Sequence, residues 1–417
     1  MTNPYGELFK TPGALAFSAA GFVARMPISM IGIGLITMLS QEHGGFGTAG
    51  AIAATFTLST ALLGPLVSRL VDRFGQGRVL LPAAGISVIA LGALLLCARW
   101  GAPTWTLFVF AALAGTLPNM SAMVRARWAH AQRGSSRLHT AFSLESVVDE
   151  LTFVVGPALA VTLSTSLFAE AGPLVAAALL TIGVLLFVPQ KRTEPPIVRD
   201  AAARAGTSAI RIGALRPLAL MLLAGGTIVG TIDVVSIAFA EQQGSTASAG
   251  IVVALYAVGS GLAGLAFGVL RPTVPQPLLL VLGAAGTALT TLPLLVVDGI
   301  AALAATVFVA GLFFAPTMIV TMGLVERIVP AGQLTEGMTW VIAGLLVGVA
   351  LGASVSGAIV DAHGPIGGFV VAIAAGAAML LIALASCRPL LRATGAGDAA
   401  EHVGATGRVA QACAGDQ

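Results

Sequence analysis

A chain of 417 residues in which 57% are hydrophobic and only 9% charged, with a mean hydropathy of +0.96, excludes a soluble globule, where about a quarter of residues would be charged. The net charge of +3 comes from bases scattered over many short segments. That scatter suits loops lying against anionic lipid and argues against nucleic acid as a partner. Cys97 is expected on one membrane face and Cys387 and Cys413 on the other, so they build no disulfide framework.

Apolar runs of about 20 residues, the length that crosses a hydrocarbon core of about 30 Å, fall at 14–39, 48–70, 79–98, 104–126, 138–165, 171–189, 217–240, 247–270, 277–297, 299–325, 335–360 and 366–387. An all-α membrane protein with twelve transmembrane helices is expected. The first run is too long for a signal-peptide core and leads straight into a second, so it reads as a retained helix. Residues 1–13 form an N-terminal segment, 14–189 one six-helix bundle, 190–216 a linker, 217–387 a second bundle and 388–417 a disordered tail.

The basic residues set the orientation. Lys10, Arg69, Arg73, Arg78, Arg125, Arg127, Arg133, Arg137, Lys191, Arg192, Arg199, Arg204, Arg211, Arg216, Arg271, Arg327, Arg388, Arg392 and Arg408 occupy the N-terminal segment, the even-numbered connections and the tail. The odd connections hold Arg99, and Arg25 alone is read inside a span. Short cytoplasmic loops carry the Lys/Arg excess, which predicts both termini on the cytoplasmic side of a cell inner membrane.

Charges inside spans mark candidates for function, because an ionisable group at the bilayer centre costs about 2.5–3.5 kcal/mol on insertion scales. Arg25 stands roughly 16 Å into the first span and Asp149 roughly 15 Å into the fifth, at 1.5 Å per residue. Glu145 and Asp149 share a helix face, with Glu150 turned about 100° away. One arginine beside two or three acids leaves a carboxylate in excess, so Arg25, Glu145, Asp149 and Glu150 are proton-coupling candidates. A permanent structural Arg25–Asp149 pair, or substrate binding by the same residues, are the alternatives. Asp233 in the seventh span lines a cavity or faces its outer mouth. Glu336 is a helix-start acid. Phe22, Asn119, Tyr256 and Trp340 are candidate substrate contacts, although residues of these types at such positions more often serve packing.

Small residues at fourfold spacing let helices approach closely. They occur as Thr60, Gly64 and Ser68 in the second span, Ser260, Gly264 and Gly268 in the eighth, and Gly344, Gly348 and Gly352 in the eleventh. Either tight packing or sliding between two halves accounts for them. Shifts of 200, 198 and 196 residues superpose these second- and eighth-span stripes, Pro118 on Pro316, and Ala141, Ser143 and Gly156 on Gly337, Thr339 and Gly352. The pattern reads as a duplicated, parallel repeat around a flexible linker, KRTEPPIVRDAAARAG.

The connection GPLVSRLVDRFGQGR resembles the major facilitator superfamily, which places a Gly-x-x-x-Asp-Arg/Lys-x-Gly-Arg-Arg/Lys element there. Asp72, Arg73 and Gly75 match, Ser68 replaces the first glycine, and Arg78 lies one position beyond the usual basic pair. The resemblance implies two pseudo-symmetric six-helix bundles and an inner-gate loop in which Asp72 docks near the start of the eleventh helix, around residues 333–336. Gly156-Pro157 is similar to the core of an element in the family's drug exporters, although the surrounding glycines are missing. The fourth span, LAGTLPNMSAM, lacks the mid-helix arginine of many exporters.

By that resemblance the chain is expected to move a small organic solute by alternating access, as proton-coupled export, with proton-coupled uptake of a nutrient as the alternative and a non-transport receptor or membrane enzyme more distant. A cationic solute would use Glu145, Asp149 and Glu150; an anionic one, Arg25. The chain has no His-Glu-x-x-His and no Gly-Lys-Ser/Thr phosphate loop. No enzyme activity, catalytic residue, metal or cofactor is expected, and its partners are a solute, protons and the bilayer, with the protein a monomer.

Overall fold

The computed structural model describes residues 4–43, 46–197, 208–244, 247–270 and 272–414. Thirteen α-helices run through them: α1 (Pro4–Leu8), α2 (Ala14–His43), α3 (Phe46–Phe74), α4 (Gln76–Arg99), α5 (Thr104–Ala114), α6 (Met120–Ala131), α7 (Arg137–Ser166), α8 (Ala171–Phe187), α9 (Leu215–Gln242), α10 (Ala247–Val269), α11 (Gln276–Thr291), α12 (Ile300–Ile328) and α13 (Leu334–Ala414). Nine helices of the described chain are long and apolar enough to cross a bilayer. The α5–α6 pair, α8, and the second limb of α13 complete twelve spans.

Three predicted boundaries change. The fourth span is not one helix: α5 stops at Gly115, and Asn119 restarts the chain by accepting a hydrogen bond from the Ala122 N–H at 3.0 Å, capping α6. Pro118 between them has no N–H and disfavours a helical conformation in its predecessor. Its repeat partner Pro316 lies inside the continuous α12, where Thr317 Oγ1 donates to the Phe313 carbonyl at 2.7 Å and no capping side chain follows. The eleventh and twelfth spans are joined in α13 across Gly364, whose φ of 79° and ψ of 174° suit glycine, with Pro365 opening the second limb. Helical backbone continues past residue 387 to Ala414, where a disordered tail is expected. Leu390 and Thr394 are buried, so the packed face extends beyond the predicted span.

Lipid reverses the usual polarity of a helix. On α3 the leucines at 58, 62, 66 and 70 are exposed while Thr60, Gly64 and Ser68 face protein. Lipid tails are as apolar as leucine, so close backbone approach drives the packing instead. Helix α2 rests on α7 and α8; α9 rests on α13, and α10 on α12. The halves meet where α3 touches α13 and where α7 touches α10 and α12.

The glycine stripes divide by partner. A Cβ at Gly344, Gly348 or Gly352 would collide with the carbonyl of Ala219, Leu223 or Thr227 on α9, inside the same half. Gly156 lies against Ser29 and Met30 of α2, also within its half, one residue before the in-helix Pro157. Only Gly64, beside Thr339, Gly264, beside Val147, and Gly268, beside Tyr5 and Ser143, sit between the halves. The eleventh-span stripe is therefore fixed packing and not a sliding surface, because its partners belong to the same bundle. Gly348→Ala should cost about 1–3 kcal/mol by overpacking and lower the melting temperature. Gly92→Ala, with nothing within 4 Å of the added carbon, should leave it unchanged or raise it.

Candidate functional site

The arginine at the middle of α2 is not alone with its acids. Arg25, 2% exposed, donates from Nη1 to Asp149 Oδ1 at 2.9 Å, from Nη2 to Glu145, and from Nε to the Gly21 carbonyl at 3.3 Å. Glu145 also accepts from Trp128 Nε1 at 2.9 Å and Ser18 Oγ at 3.3 Å. Asp149 accepts in addition from Ser121 Oγ and, at 2.7 Å, from Arg125 Nη2. Arg125 is fully buried.

This overturns the expected charge count. Arg125 reads as a loop base, yet α6 restarts inside the membrane and carries it toward α7, about 9 Å above the helix end. Two guanidiniums face two carboxylates, so Glu145 and Asp149 are compensated and neither supplies the surplus acid. Arg125 already falls inside the predicted span 104–126, which is the clue that treating it as a loop residue discards. Arg127 is likewise no loop base. It is buried, donates to Gln76 Oε1 at 2.8 Å, Thr193 Oγ1 at 2.9 Å and the Phe187 and Gln190 carbonyls at 3.2 Å, and lies over the Phe187 ring at 3.6 Å. A cation at the end of α8 suits the negative pole of that helix.

Glu150 points the other way. Its Oε1 accepts from Ser260 Oγ of α10 at 2.7 Å, bridging the halves. Asp233 of α9 has no hydrogen bond or ion pair among the described residues, and its charge acts on that of Glu150. Tyr256 of α10 lies in the field of both acids, with its ring 5.9 Å from that of Phe314. The other candidates are elsewhere: Phe22 packs against the core, Asn119 caps α6, and Trp340 donates to Ser208 and Glu336 at 3.3 Å beside a cleft that also contacts Leu62, Ile210 and Arg216.

All described hydrogen bonds between the halves lie in the half of the bundle nearer the linker. Asp72 accepts from the backbone N–H groups of Thr335 at 3.2 Å and Glu336 at 2.8 Å, capping the start of α13. Ser68 and Thr339 hydroxyls meet at 2.8 Å; Tyr5 donates to the Leu265 carbonyl at 2.7 Å, and Thr140 to that of Gly268 at 2.8 Å. His139 Nε2 meets the Phe267 carbonyl at 2.8 Å. Gly75, at φ 90°, forms the turn after Asp72; Arg73 lies over Phe74 and Arg78 is exposed.

The described ends of the expected flexible linker are docked. Glu194 accepts from the Gly77 N–H at 2.9 Å, and Glu336 accepts from Ser208 Oγ and, at 3.1 Å, from the Ala209 N–H. The middle of the linker, 198–207, lies outside the described residues.

A family model described as Major Facilitator Superfamily matches residues 17–245 and 218–404. The chain belongs to the major facilitator superfamily. Among solved structures it is similar to the human organic anion transporter TETRAN (14% identity, 89% of this chain and 99% of that one, TM-score 0.67). A bacterial ferroportin homologue in its outward-facing state is similar too (13%, 89% and 98%, 0.69). So is the E. coli fucose:proton symporter (15%, 89% and 98%, 0.65). No curated protein sequence matches significantly. At these identities the structural likeness speaks for the fold alone, two six-helix bundles; the family match makes the chain a membrane transporter and not an enzyme.

The ion cluster of this facilitator makes a sharp prediction. Asp149→Asn leaves two arginines with one acid, and stranding a buried charge typically costs about 3–5 kcal/mol. Adding Arg125→Gln, which preserves the Arg25–Glu145 pair, should restore most of the lost thermal stability. Adding Arg25→Gln instead leaves Arg125 without an acid and should restore less.

Proposed function

We propose that this facilitator is a proton-coupled exporter of a small organic solute, with Glu150 as the proton carrier, Asp233 its partner across the halves, and the linker end cytoplasmic. The reading rests on one observation: Glu150 and Asp233 have no basic partner among the described residues, and Glu150 holds Ser260 of the opposite half. An acid with a hydrogen bond across the seam feels any separation of the bundles, so its protonation is linked to which side is open. The concentration of Lys and Arg at the linker end supports the orientation, and seam contacts gathered there fit a chamber open to the outside. Gly156-Pro157 favours export.

Glu150→Gln in proteoliposomes should abolish uphill flux driven by a pH gradient while leaving downhill exchange of the same solute measurable. Retained gradient-driven flux would exclude Glu150 as the carrier. The sign of the gradient that drives accumulation separates export from uptake.

Asp72 is proposed as the latch of the inner gate. Asp72→Ala removes a helix cap worth about 1 kcal/mol, enough to raise the inward-open population roughly fivefold. A cysteine replacing the fully buried Ser143, beneath the seam, should then react correspondingly faster with an impermeant thiol reagent from the cytoplasmic face. An unchanged rate would reduce this loop to a topology determinant.

A further inference from the structure

We infer that the cleft between α3, α9 and α13 is a binding site for an anionic phospholipid, with its phosphate on Arg216 and one acyl chain lying between the two halves. The inference goes beyond the proposed function and holds for any solute or proton carrier. The cleft encloses about 370 Å³. Leu62 of α3 forms one wall, Leu220 and Leu223 of α9 the second, and Trp340 and Val347 of α13 the third. Ile210 and Arg216 complete the lining at the linker end, and Arg216 is its only charged residue among the described residues. Leu62 and Leu220 are exposed, and Leu62 belongs to the lipid-facing leucine stripe of α3, so the rim of the cleft is continuous with the surface that meets the bilayer.

Charge complementarity selects the occupant. Arg216, the second residue of α9, is exposed; its Nε donates to the Ile210 carbonyl at 3.0 Å, and its Nη groups have no hydrogen bond or ion pair among the described residues. Arg211, next to Ile210, is exposed and has no ion pair among them either. The acid on this side does not oppose an anion. Glu336 is 2% exposed and spent on Ser208, the Ala209 N–H and Trp340, with Arg69 Nε 4.0 Å from its Oε2. Trp340 Nε1 is engaged by Ser208 and Glu336 at 3.3 Å, which leaves the carbon of the ring to the cleft. From Arg216 to Leu223 the helix climbs about 10 Å at 1.5 Å per residue, so a head group held at the interface sends its chain into the hydrocarbon layer. Basic pockets between membrane helices on the cytoplasmic side take anionic head groups. A choline head group would bring its own cation against Arg211 and Arg216.

Trp340 makes the site visible, because bromine on an acyl chain quenches the fluorescence of an indole that it touches. Phosphatidylglycerol with brominated chains is doped at low fraction into phosphatidylcholine nanodiscs holding the full chain, with brominated phosphatidylcholine as the comparison. Subtracting the signal of Trp340→Phe removes the contributions of Trp100, Trp105 and Trp128. Half-quenching of Trp340 is expected at an about fivefold lower fraction of the glycerol lipid than of the choline lipid, the contribution of one arginine near the membrane surface. Arg216→Gln should bring the two lipids to equal quenching. Ala343→Leu, which fills the cleft from α13, should reduce quenching by both, with melting temperatures checked so that either folded variant decides. Equal quenching by the two lipids in the unaltered protein means that any lipid fills the cleft and overturns the inference. So does an undiminished preference in Arg216→Gln, full quenching in a folded Ala343→Leu, or a Trp340 that neither lipid reaches because protein covers it.

Discussion

The neutralised cluster of Arg25, Arg125, Glu145 and Asp149 is the constraint on which the N-terminal bundle depends. Arg25, Arg125 and Glu145 are buried and Asp149 is partly exposed among α2, α6 and α7, where an isolated ion would be prohibitive and a charge-balanced set is tolerable, although Arg125 keeps Nε and Nη1 without a partner among the described residues. Glu145 alone gathers Arg25, Trp128 and Ser18, so the acid ties together three helices that apolar packing in lipid would join only weakly. The break between α5 and α6 belongs to the same device. An unbroken fourth helix would present Arg125 at a different rotation, and the Asn119 cap sets the phase that aims it at Asp149.

With those acids paired, the acids of α7 and α9 left without a basic partner among the described residues are Glu150 and Asp233, one from each half. A carboxylate that bonds across the seam, as Glu150 does with Ser260, is strained by any separation of the halves, a property that a salt bridge inside one rigid bundle lacks. Nearer the linker the halves are held by a different chemistry: Asp72 on two backbone N–H groups, the Ser68–Thr339 hydroxyl pair, and side chains on the carbonyls of Leu265, Phe267 and Gly268. These are individually modest hydrogen bonds, worth about 1 kcal/mol each. Such a seam can part and reform, whereas the α9–α13 glycine contact, backbone against backbone, cannot slide without losing its packing.

Spans, repeat and the position of the gate loop are legible in the chain because each follows from a local pattern: twenty apolar residues, a base in alternate gaps, a short motif with Asp72. Arg25, Glu145 and Asp149 are legible as a group from their depths alone. Arg125 is not, since loop and span bases are the same residue type and only the restart of α6 tells them apart. Trp340 and Asn119 look like solute contacts in sequence; Trp340 bonds Glu336 one turn before it and Ser208, 132 positions away, and Asn119 forms a helix cap that exists only where the helix breaks.

The sequence by itself determined that the chain crosses a membrane twelve times in two related halves, because hydrophobic length and charge placement are properties of each segment. Which acid stays uncompensated was decided only by tertiary structure. Glu145, Asp149 and Glu150 lie within six positions on one helix, and a rotation of about 100° per residue sends Asp149 to two arginines and Glu150 to the opposite half.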